Sequence, residues 1–336
     1  MSERSDIARI KGIDKASIMD KPNVVGFGTG YKRVNGKITS ELSIVALVRK
    51  KMPPSSMAAG AMIPASVDGV QTDVMEVGEI RAQLTPTDRW RPAPGGVSIG
   101  HYNITAGTLG VVVHDRATGA RLILSNNHVL ANSNDGILGD PILQPGPADG
   151  GISGRDTIAN LERFQTIQYS SQPGTCGLAR FYANVGNALA ELFGSRHRLA
   201  TIREDPSAVN YIDAALARPV NNGDVLDEIL VIGTPVGVLE ATLGLPLRKS
   251  GRTTGYTTGE VMVLDATVDV SYGTLKTARF EGQIIAGAMS EGGDSGSLVL
   301  SGDPPKAVGL LFAGSSQTTI LNPIQTVLDM LDVTLS

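Results

Sequence analysis

The sequence predicts a mainly β fold preceded by a small α+β domain. Short runs of Val, Ile, Leu and Thr, separated by Gly, Asp and Asn, recur from Thr105 to residue 320. The 336 residues include 40 glycines and 18 prolines, which favour many tight turns between short strands. The first 85 residues show a different pattern, with one helical segment and longer strands. These observations are typical of an all-β barrel or sandwich that follows a separate N-terminal unit.

The composition is that of a globular protein without a strongly charged surface. Hydrophobic residues make up 41%, charged residues 18%, and 29 basic against 33 acidic residues give a net charge of −4. No block of Lys and Arg has the length of a nucleic-acid-binding tail, so we expect no nucleic acid partner. No apolar run approaches the ~20 residues that span a bilayer, and no signal-peptide core is evident, so we expect no membrane partner. The single Cys176 cannot form an internal disulfide, which predicts a cytoplasmic location.

Residues 1–85 are predicted to form the N-terminal α+β domain. Isoleucines at helical spacing, with charges between them, predict a short amphipathic helix over residues 5–18. Two strands are predicted around the turn Asn35-Gly36, because this dipeptide accepts positive φ in a hairpin. A third strand follows later, and the three predicted ranges are Val24–Val34, Ile38–Val48 and Val70–Ile80.

The rest of the chain is predicted to be a linker and a β-rich domain. The Pro/Gly-rich stretch 86–104 is the predicted linker, and residues 105–336 form the second domain. A helical insertion is predicted near 177–200, where Ala, Leu and Phe are frequent and helix breakers are few. A C-terminal helix is predicted from Ile324 to Leu331, because Pro323 directly precedes it.

His128 is a candidate general base. It lies in Ser-Asn-Asn-His-Val-Leu, directly after the apolar strand Leu122–Leu124. A histidine in a polar turn at a strand end titrates near neutrality and can accept a proton from a nucleophile. A single histidine in such a turn is also common as a structural residue, so this motif needs a partner elsewhere in the chain.

Ser295 is the stronger candidate, as a nucleophile. It lies in Glu-Gly-Gly-Asp-Ser-Gly-Ser, residues 291–297. Acyl transfer through serine needs a hydroxyl on a tight turn, with backbone N–H groups directed at the developing oxyanion. Glycines on both sides of the serine allow such a turn. The alternative is a polar hairpin between two strands.

The two motifs resemble those of the trypsin/chymotrypsin-fold serine proteases. His128 in Asn-Asn-His-Val and Ser295 in Gly-Asp-Ser-Gly have the order and spacing of that family. Lys249–Gly255, with the sequence Lys-Ser-Gly-Arg-Thr-Thr-Gly, and the strand Gly309–Gly314 resemble bacterial trypsin-like proteins related to the plant narrow-leaf protease group. The resemblance covers about residues 105–330. It implies a double β-barrel, chymotrypsin-like protease domain.

The resemblance also implies an aspartate that orients the histidine. Asp213 lies in an apolar segment where an unpaired carboxylate would be costly to bury, and it matches the family pattern best. The other candidates lie in turns or in a Gly/Pro-rich loop, and they are Asp140, Asp149, Asp156, Asp224 and Asp227.

The resemblance implies a serine endopeptidase that works through a Ser-His-Asp triad and an acyl-enzyme. The oxyanion hole would consist of the N–H groups of Gly293 and Ser295, while Asp294 supports the turn. In the resembled family, the residue at the position of Asp294 often pairs with a newly cut N-terminus. No activation site is evident in this sequence.

The family geometry places Met289 at the base of the primary substrate pocket and Phe312, Ala313 and Gly314 along its wall. A thioether cannot pair with a basic side chain, so cleavage after a medium-sized apolar residue is expected. The expected partner is a protein or peptide substrate, and a homo-oligomer is compatible with the sequence. No metal motif is present, and we expect no cofactor.

Two alternative functions remain open from the sequence. One is a catalytically idle protease-fold protein that binds peptides or acts as a scaffold. The other is an esterase that uses the same triad on small esters.

Overall fold

The structure is a computed structural model that describes residues 10, 16–34, 36–58, 60–78 and 84–335. It divides into two compact units, the first up to Gln83 and the second from Leu84 onward. The helices are α1 Ala16–Met19, α2 Asn127–Leu130, α3 Gly177–Leu192 and α4 Ile324–Met330.

The first unit contains a four-stranded sheet in its described part. The strands are β1 Val24–Val34, β2 Lys37–Val48, β3 Ser66–Val67 and β4 Val70–Glu76. They lie in the order β1-β2-β4-β3, with β1 and β2 antiparallel and β2 and β4 parallel. The core of this unit consists of Ile10, Ile18, Ile44, Ala46 and Val70.

Most of the predicted helix over residues 5–18 lies outside the described residues, as do Asn35 of the predicted turn and Ile80 of the third predicted strand. The described part of the turn, Gly36, has φ 78°, as a hairpin turn of this kind requires. The third strand ends at Glu76.

The second unit contains two curled sheets. The strands of the first sheet are β6 Ser98–His101, β7 Gly107–Thr108, β8 Val111–Asp115, β9 Arg121–Ser125, β10 Pro141–Leu143, β11 Thr157–Phe164, β14 Ala215–Pro219 and β22 Val333–Thr334. The strands of the second sheet are β12 Ser171–Pro173, β13 Ile202–Glu204, β16 Pro246–Gly251, β17 Gly255–Ser271, β18 Thr277–Gly287, β19 Leu298–Ser301, β20 Lys306–Gly314 and β21 Thr318–Pro323. A further parallel pair joins β5 Ala93–Gly95 to β15 Val225–Ile229.

The order of the strands confirms the predicted double barrel. The first sheet runs β22-β8-β9-β14-β11-β10-β6-β7. In the second, β18-β17-β16-β19-β20-β21 are neighbours in that order, and β18 also pairs with β21, so these strands close into a barrel. Buried Val, Leu, Ile and Ala side chains fill each barrel. The fold is therefore mainly β and of the chymotrypsin-like double-barrel type.

The predicted linker over residues 86–104 is wrong. These residues belong to the second unit, where β5 and β6 are fully buried. Gly95 allows two backbone segments to pack closely, because a Cβ at this position would lie 2.5 Å from the carbonyl oxygen of Gly110. The same Pro/Gly composition that is typical of a linker therefore occurs here in buried strands, and Ala93, Val97 and Ile99 belong to the core of the second unit.

Two helices flank the barrels. Helix α3 lies between β12 and β13, within the predicted insertion, and ends before Gly194, whose φ is 74°. It exposes a row of large apolar side chains: Leu178, Phe181, Tyr182, Val185, Leu189 and Leu192. Helix α4 confirms the predicted C-terminal helix, and it buries Ile324, Val327 and Leu328 against the strands of the barrels.

Candidate active site

His128 and Asp213 lie at adjacent strand ends of the first barrel. Helix α2 follows β9 directly and presents His128, while Asp213 lies two residues before β14, which pairs with β9. The Nδ1 atom of His128 lies 2.6 Å from Oδ2 of Asp213. A carboxylate at Nδ1 holds the proton there, so Nε2 is left as a proton acceptor.

The carboxylate of Asp213 is fully buried and is held from several sides. Its Oδ1 accepts the backbone N–H of His128 at 3.3 Å, and its Oδ2 also accepts the Tyr272 hydroxyl at 2.6 Å. The backbone is fixed as well, because the N–H of Asp213 donates to Asn322 and its carbonyl accepts from Asn126. Asp213 thus cannot turn away from His128 without breaking buried hydrogen bonds.

The other candidate aspartates have different partners. Asp140 lies 2.9 Å from the ring of His101, Asp149 pairs with Arg252, and Asp156 pairs with Arg89 and Arg155. Asp224 accepts from Asn221, and Asp227 pairs with Arg121. The structure therefore brings Asp213, and not these five, to His128.

Ser295 lies on a tight turn that requires its glycines. Gly293 and Gly296 have φ 98° and 95°, a region that residues with a Cβ rarely adopt. A Cβ on Gly296 would also lie 2.1 Å from Oγ of Ser125. Thr108 fixes the turn from the first barrel, because its N–H donates to the Ser295 carbonyl at 2.7 Å and its Oγ1 donates to the Gly293 carbonyl at 2.9 Å.

The proposed oxyanion hole consists of the N–H groups of Gly293 and Ser295. Each of these two peptide units is held by a hydrogen bond to its carbonyl oxygen. The Gly292 carbonyl accepts from Thr253 at 2.8 Å, and the Asp294 carbonyl accepts from the Ser297 hydroxyl at 2.6 Å. In a trans peptide the N–H points away from its carbonyl, so the N–H groups of Gly293 and Ser295 point away from these donors. Within residues 84–335 neither N–H donates a hydrogen bond to the protein.

A buried ion pair lies under this turn. Nζ of Lys249 lies 3.1 Å from Oδ2 of Asp294, and both side chains are fully buried. Asp294 also accepts the N–H groups of Thr253, Thr254 and Glu291 and the Thr254 hydroxyl. An internal lysine is thus the cation that pairs with Asp294.

The surroundings of the ion pair alter the pKa of both groups. Burial works to raise the pKa of Asp294, but the hydrogen bonds from Thr254 and Glu291 and the charge of Lys249 outweigh it, so that the net shift is downward. Burial lowers the pKa of Lys249 against the opposing charge of Asp294. The carboxylate is therefore ionised at neutral pH.

His128 and Ser295 line the same cleft, which has a volume of about 1230 Å³. The Ser295 hydroxyl lies 3.5 Å from the carbonyl oxygen of Phe312 and is turned toward it. Within the described residues no hydrogen bond joins this hydroxyl to His128.

The cleft also contains all four residues predicted for the substrate pocket: Met289, Phe312, Ala313 and Gly314. Met289 is only 3% exposed and packs in the core of the second barrel, where its sulfur lies against Gly259. Phe312 is similarly buried and packs on Phe280, with ring centroids 4.8 Å apart. Both side chains therefore contribute apolar surface to the cleft.

Sequence reasoning missed the role of two residues at this site. Tyr272 contacts Asp213, and Lys249 pairs with Asp294. Lys249 lies between Arg248 and Ser250 in β16, so its neighbours in the sequence do not mark it as a buried residue. Tyr272 in Ser-Tyr-Gly gave no signal that distinguishes it from an ordinary turn residue.

Within the part of the chain that the structure describes, no cluster of three His, Cys, Asp or Glu side chains could hold a metal ion. None of the described helices combines the length and the apolar character that a membrane crossing needs.

Comparisons with known proteins agree with the motifs. Streptogrisin-D of Streptomyces griseus is 29% identical over 164 residues, which are 47% of this chain and 36% of that protein. The chain thus spans about a third of the length of this curated relative, as the 36% coverage indicates. No protein-family model matches the chain.

Solved structures of two bacterial proteases also match the chain. The Nocardiopsis protease NAPase has a TM-score of 0.47 at 18% identity, covering 72% of this chain and 99% of that one. Protease A of Thermobifida fusca has a TM-score of 0.45 at 17% identity, covering 72% of this chain and 98% of that one. In its motifs and in its own two-barrel architecture, the chain is similar to the bacterial serine proteases of the trypsin/chymotrypsin fold.

Proposed function

We propose that the protein is a serine endopeptidase with Ser295 as nucleophile, His128 as general base and Asp213 as the residue that orients His128. The observation that supports this most is the 2.6 Å contact between Nδ1 of His128 and the fully buried Asp213. His128 in turn lines a cleft that also contains Ser295. The similarity to streptogrisin-D supports the same class of reaction.

In the first half of the reaction, Oγ of Ser295 forms a bond to the carbonyl carbon of the substrate and gives its proton to Nε2 of His128. The negative charge on the former carbonyl oxygen is stabilised by the N–H groups of Gly293 and Ser295. The C–N bond then breaks, and the leaving amine takes the proton from His128. An acyl-enzyme on Ser295 remains.

In the second half, a water molecule gives its proton to His128 and attacks the acyl carbon. The tetrahedral intermediate collapses, the bond to Oγ breaks, and the proton returns from His128 to Ser295. Asp213 orients His128 and stabilises the imidazolium by its charge. The chemistry requires no metal or redox cofactor, since the proton moves only between serine, histidine, water and substrate.

The apolar base of the cleft supports a preference for a medium-sized apolar residue before the cleaved bond. Met289 and Phe312 offer no charge to a buried cation or anion. Glu291 lines the cleft but is exposed, and its backbone N–H belongs to the turn around Asp294. We therefore assign substrate contact at the base to Met289 and along the wall to Phe312, Ala313 and Gly314.

The orientation of the Ser295 hydroxyl favours a second candidate, a peptide-binding protein without catalysis. The hydroxyl lies 3.5 Å from the Phe312 carbonyl oxygen, and within the described residues no hydrogen bond joins it to His128. Catalytic hydrogen bonds are often long before substrate binds, so this orientation is also compatible with an active enzyme.

A peptide library incubated with the wild-type protein and with Ser295→Ala distinguishes the two. The proposal predicts cleavage mainly after Leu, Met, Val or Ala, and a loss of several orders of magnitude in Ser295→Ala with unchanged thermal unfolding. Small-ester substrates measured beside the peptides separate an esterase from a peptidase. Peptide binding without any cleavage would favour the scaffold, and dominant cleavage after Arg or Lys would refute the pocket assignment.

A further inference from the structure

Tyr272 reaches the buried face of Asp213 from the other barrel. It follows β17 directly, at the tip of the β17–β18 hairpin, whereas His128 and Asp213 lie next to the ends of β9 and β14 of the first sheet. The Tyr272 hydroxyl donates to Oδ2 of Asp213 at 2.6 Å, the same oxygen that lies 2.6 Å from His128 Nδ1. Two donors therefore share this oxygen.

The charge of Asp213 has few stabilising partners. Its carboxylate accepts Tyr272 Oη–H, His128 Nδ1–H and the His128 backbone N–H, and it has no Lys or Arg partner in the described part of the chain. A buried carboxylate depends on such donors, because each lost hydrogen bond leaves a charged oxygen without water or protein to stabilise it.

The ring of Tyr272 is held firmly, so the hydroxyl has a fixed position. It packs edge-on against His128 and Tyr169, with centroid distances of 6.0 and 5.9 Å, and lies 6.2 Å from Phe280. The hairpin tip is closed by the N–H of Tyr272, which donates to the Lys276 carbonyl at 2.9 Å. Burial, and then the charge of Asp213, raise the pKa of the Tyr272 hydroxyl well above its usual value of 10.0, so it remains a donor.

We propose that Tyr272 is a positioning residue for the reaction proposed above, because its hydroxyl holds Oδ2 of Asp213 in the orientation that aligns His128. The inference rests on the proposed function. Without the hydroxyl, Oδ2 retains one of its two side-chain donors, and the carboxylate can rotate about its Cβ–Cγ bond. His128 then loses alignment, and the charge that Asp213 presents to the imidazolium changes.

The test compares Tyr272→Phe with the matched variant Tyr169→Phe. Both remove one hydroxyl from neighbouring, packed rings, but the Tyr169 hydroxyl donates to the Ser133 carbonyl at 3.0 Å and not to Asp213. Tyr272→Phe should lower kcat about tenfold or more with little change in KM, because a hydrogen bond to a charged group is lost. Tyr272→Phe should also shift the pH at which kcat/KM falls on the acidic side of its pH profile. Tyr169→Phe should leave that pH unchanged.

A second readout does not depend on hydrolysis. The proton on His128 Nδ1 gives a far-downfield NMR resonance, and this resonance should shift in Tyr272→Phe but not in Tyr169→Phe. If the wild type cleaved no peptide, the proposed function would fail, yet the resonance would still test the link between Tyr272 and His128. An unchanged resonance and an unchanged pH profile in folded Tyr272→Phe would overturn the proposal.

A third variant applies if Tyr272→Phe does not fold. Incorporation of 3-fluorotyrosine keeps the hydroxyl and makes it a stronger donor, so the ring packing is preserved. The His128 resonance should then move in response to fluorination in the folded protein. A resonance identical to that of the unmodified protein would also overturn the proposal.

Discussion

Asp213 and Asp294 are both buried carboxylates, and the protein stabilises them differently. Asp294 has a buried lysine 3.1 Å away and several hydrogen-bond donors, so its charge is neutralised in place. Asp213 has neutral donors and His128. Because Asp213 has no permanent cation, its charge remains available to stabilise His128 when the imidazole takes a proton. Asp294 is therefore suited to a structural role, and Asp213 to the proposed catalytic role.

Lys249→Met tests the structural role of the ion pair. Removing one member leaves the Asp294 charge buried and unpaired, which should destabilise the fold by about 3–5 kcal/mol. The turn that presents the Gly293 N–H should lose its fixed position, so that activity falls by about 100-fold or more. Urea unfolding and peptide hydrolysis measure the two effects.

The double variant Lys249→Met/Asp294→Asn is the control, because it removes both charges. It should be more stable than Lys249→Met alone, since no unpaired charge remains.

The pKa of Asp294 is lowered from its usual 3.8, so its contribution to stability is present above that pH and is lost as the pH falls further. The difference in Tm between wild type and Lys249→Met should therefore narrow below about pH 4. A difference that stays constant to pH 2 would contradict this account.

At the scale of elements, residues 132–134 after α2 have a strained backbone conformation that tertiary contacts stabilise. Asn132, Ser133 and Asn134 have φ of 48°, 54° and 80°, a left-handed run without glycine. Such a run costs energy at each residue and persists only where its surroundings fix it. The side chain of Asn134 supplies that support, because it bonds to Asn127 and to both backbone groups of Ile167.

Asn134→Ala should destabilise the protein by about 2–4 kcal/mol, because three hydrogen bonds are lost and alanine tolerates positive φ poorly. Asn132→Ala is the matched variant, since it also replaces an asparagine with positive φ in the same turn. It should lose only about 1 kcal/mol, for backbone strain. Equal free energies of unfolding for the two variants would show that the Asn134 contacts do not hold the turn.

Elements defined by local pattern could be predicted from the sequence, whereas those defined by tertiary contact could not. The first two strands begin and end within a residue of their predicted bounds, because the turn dipeptide between them specifies where the hairpin reverses. The predicted linker over residues 86–104 is wrong because a Gly-rich sequence looks the same whether its glycines allow close packing or allow flexibility. Tyr272 lies 59 residues from Asp213 and Lys249 lies 45 from Asp294, so only the pairing of strands brings them together.

At the scale of the whole molecule, the candidate site belongs entirely to the second unit. All residues of the cleft lie between Ile104 and Ile320, and the cores of both barrels are built from residues 93–333. The N-terminal unit has its own core around Ile44. The second unit therefore has what it needs to fold without the first.

Two truncated proteins test this division. A protein that begins at Leu84 should fold cooperatively and retain the site, because it keeps β5 and β6. A protein that begins at Thr105 lacks these two buried strands and should not fold, since large buried areas and strand pairings are lost. Thermal unfolding by circular dichroism measures both. A folded Thr105 protein, or an unfolded Leu84 protein, would contradict the boundary between Gln83 and Leu84.

The most direct test of the central claim is covalent labelling by a fluorophosphonate, which reacts with a serine only where a base activates it. The account predicts one adduct on the wild-type protein, located on Ser295 by peptide mass spectrometry. It predicts no adduct on Ser295→Ala and a rate at least about 100-fold lower on His128→Ala. A folded wild-type protein that takes no label, or a label that persists in Ser295→Ala, would contradict the assignment of Ser295 as the activated nucleophile.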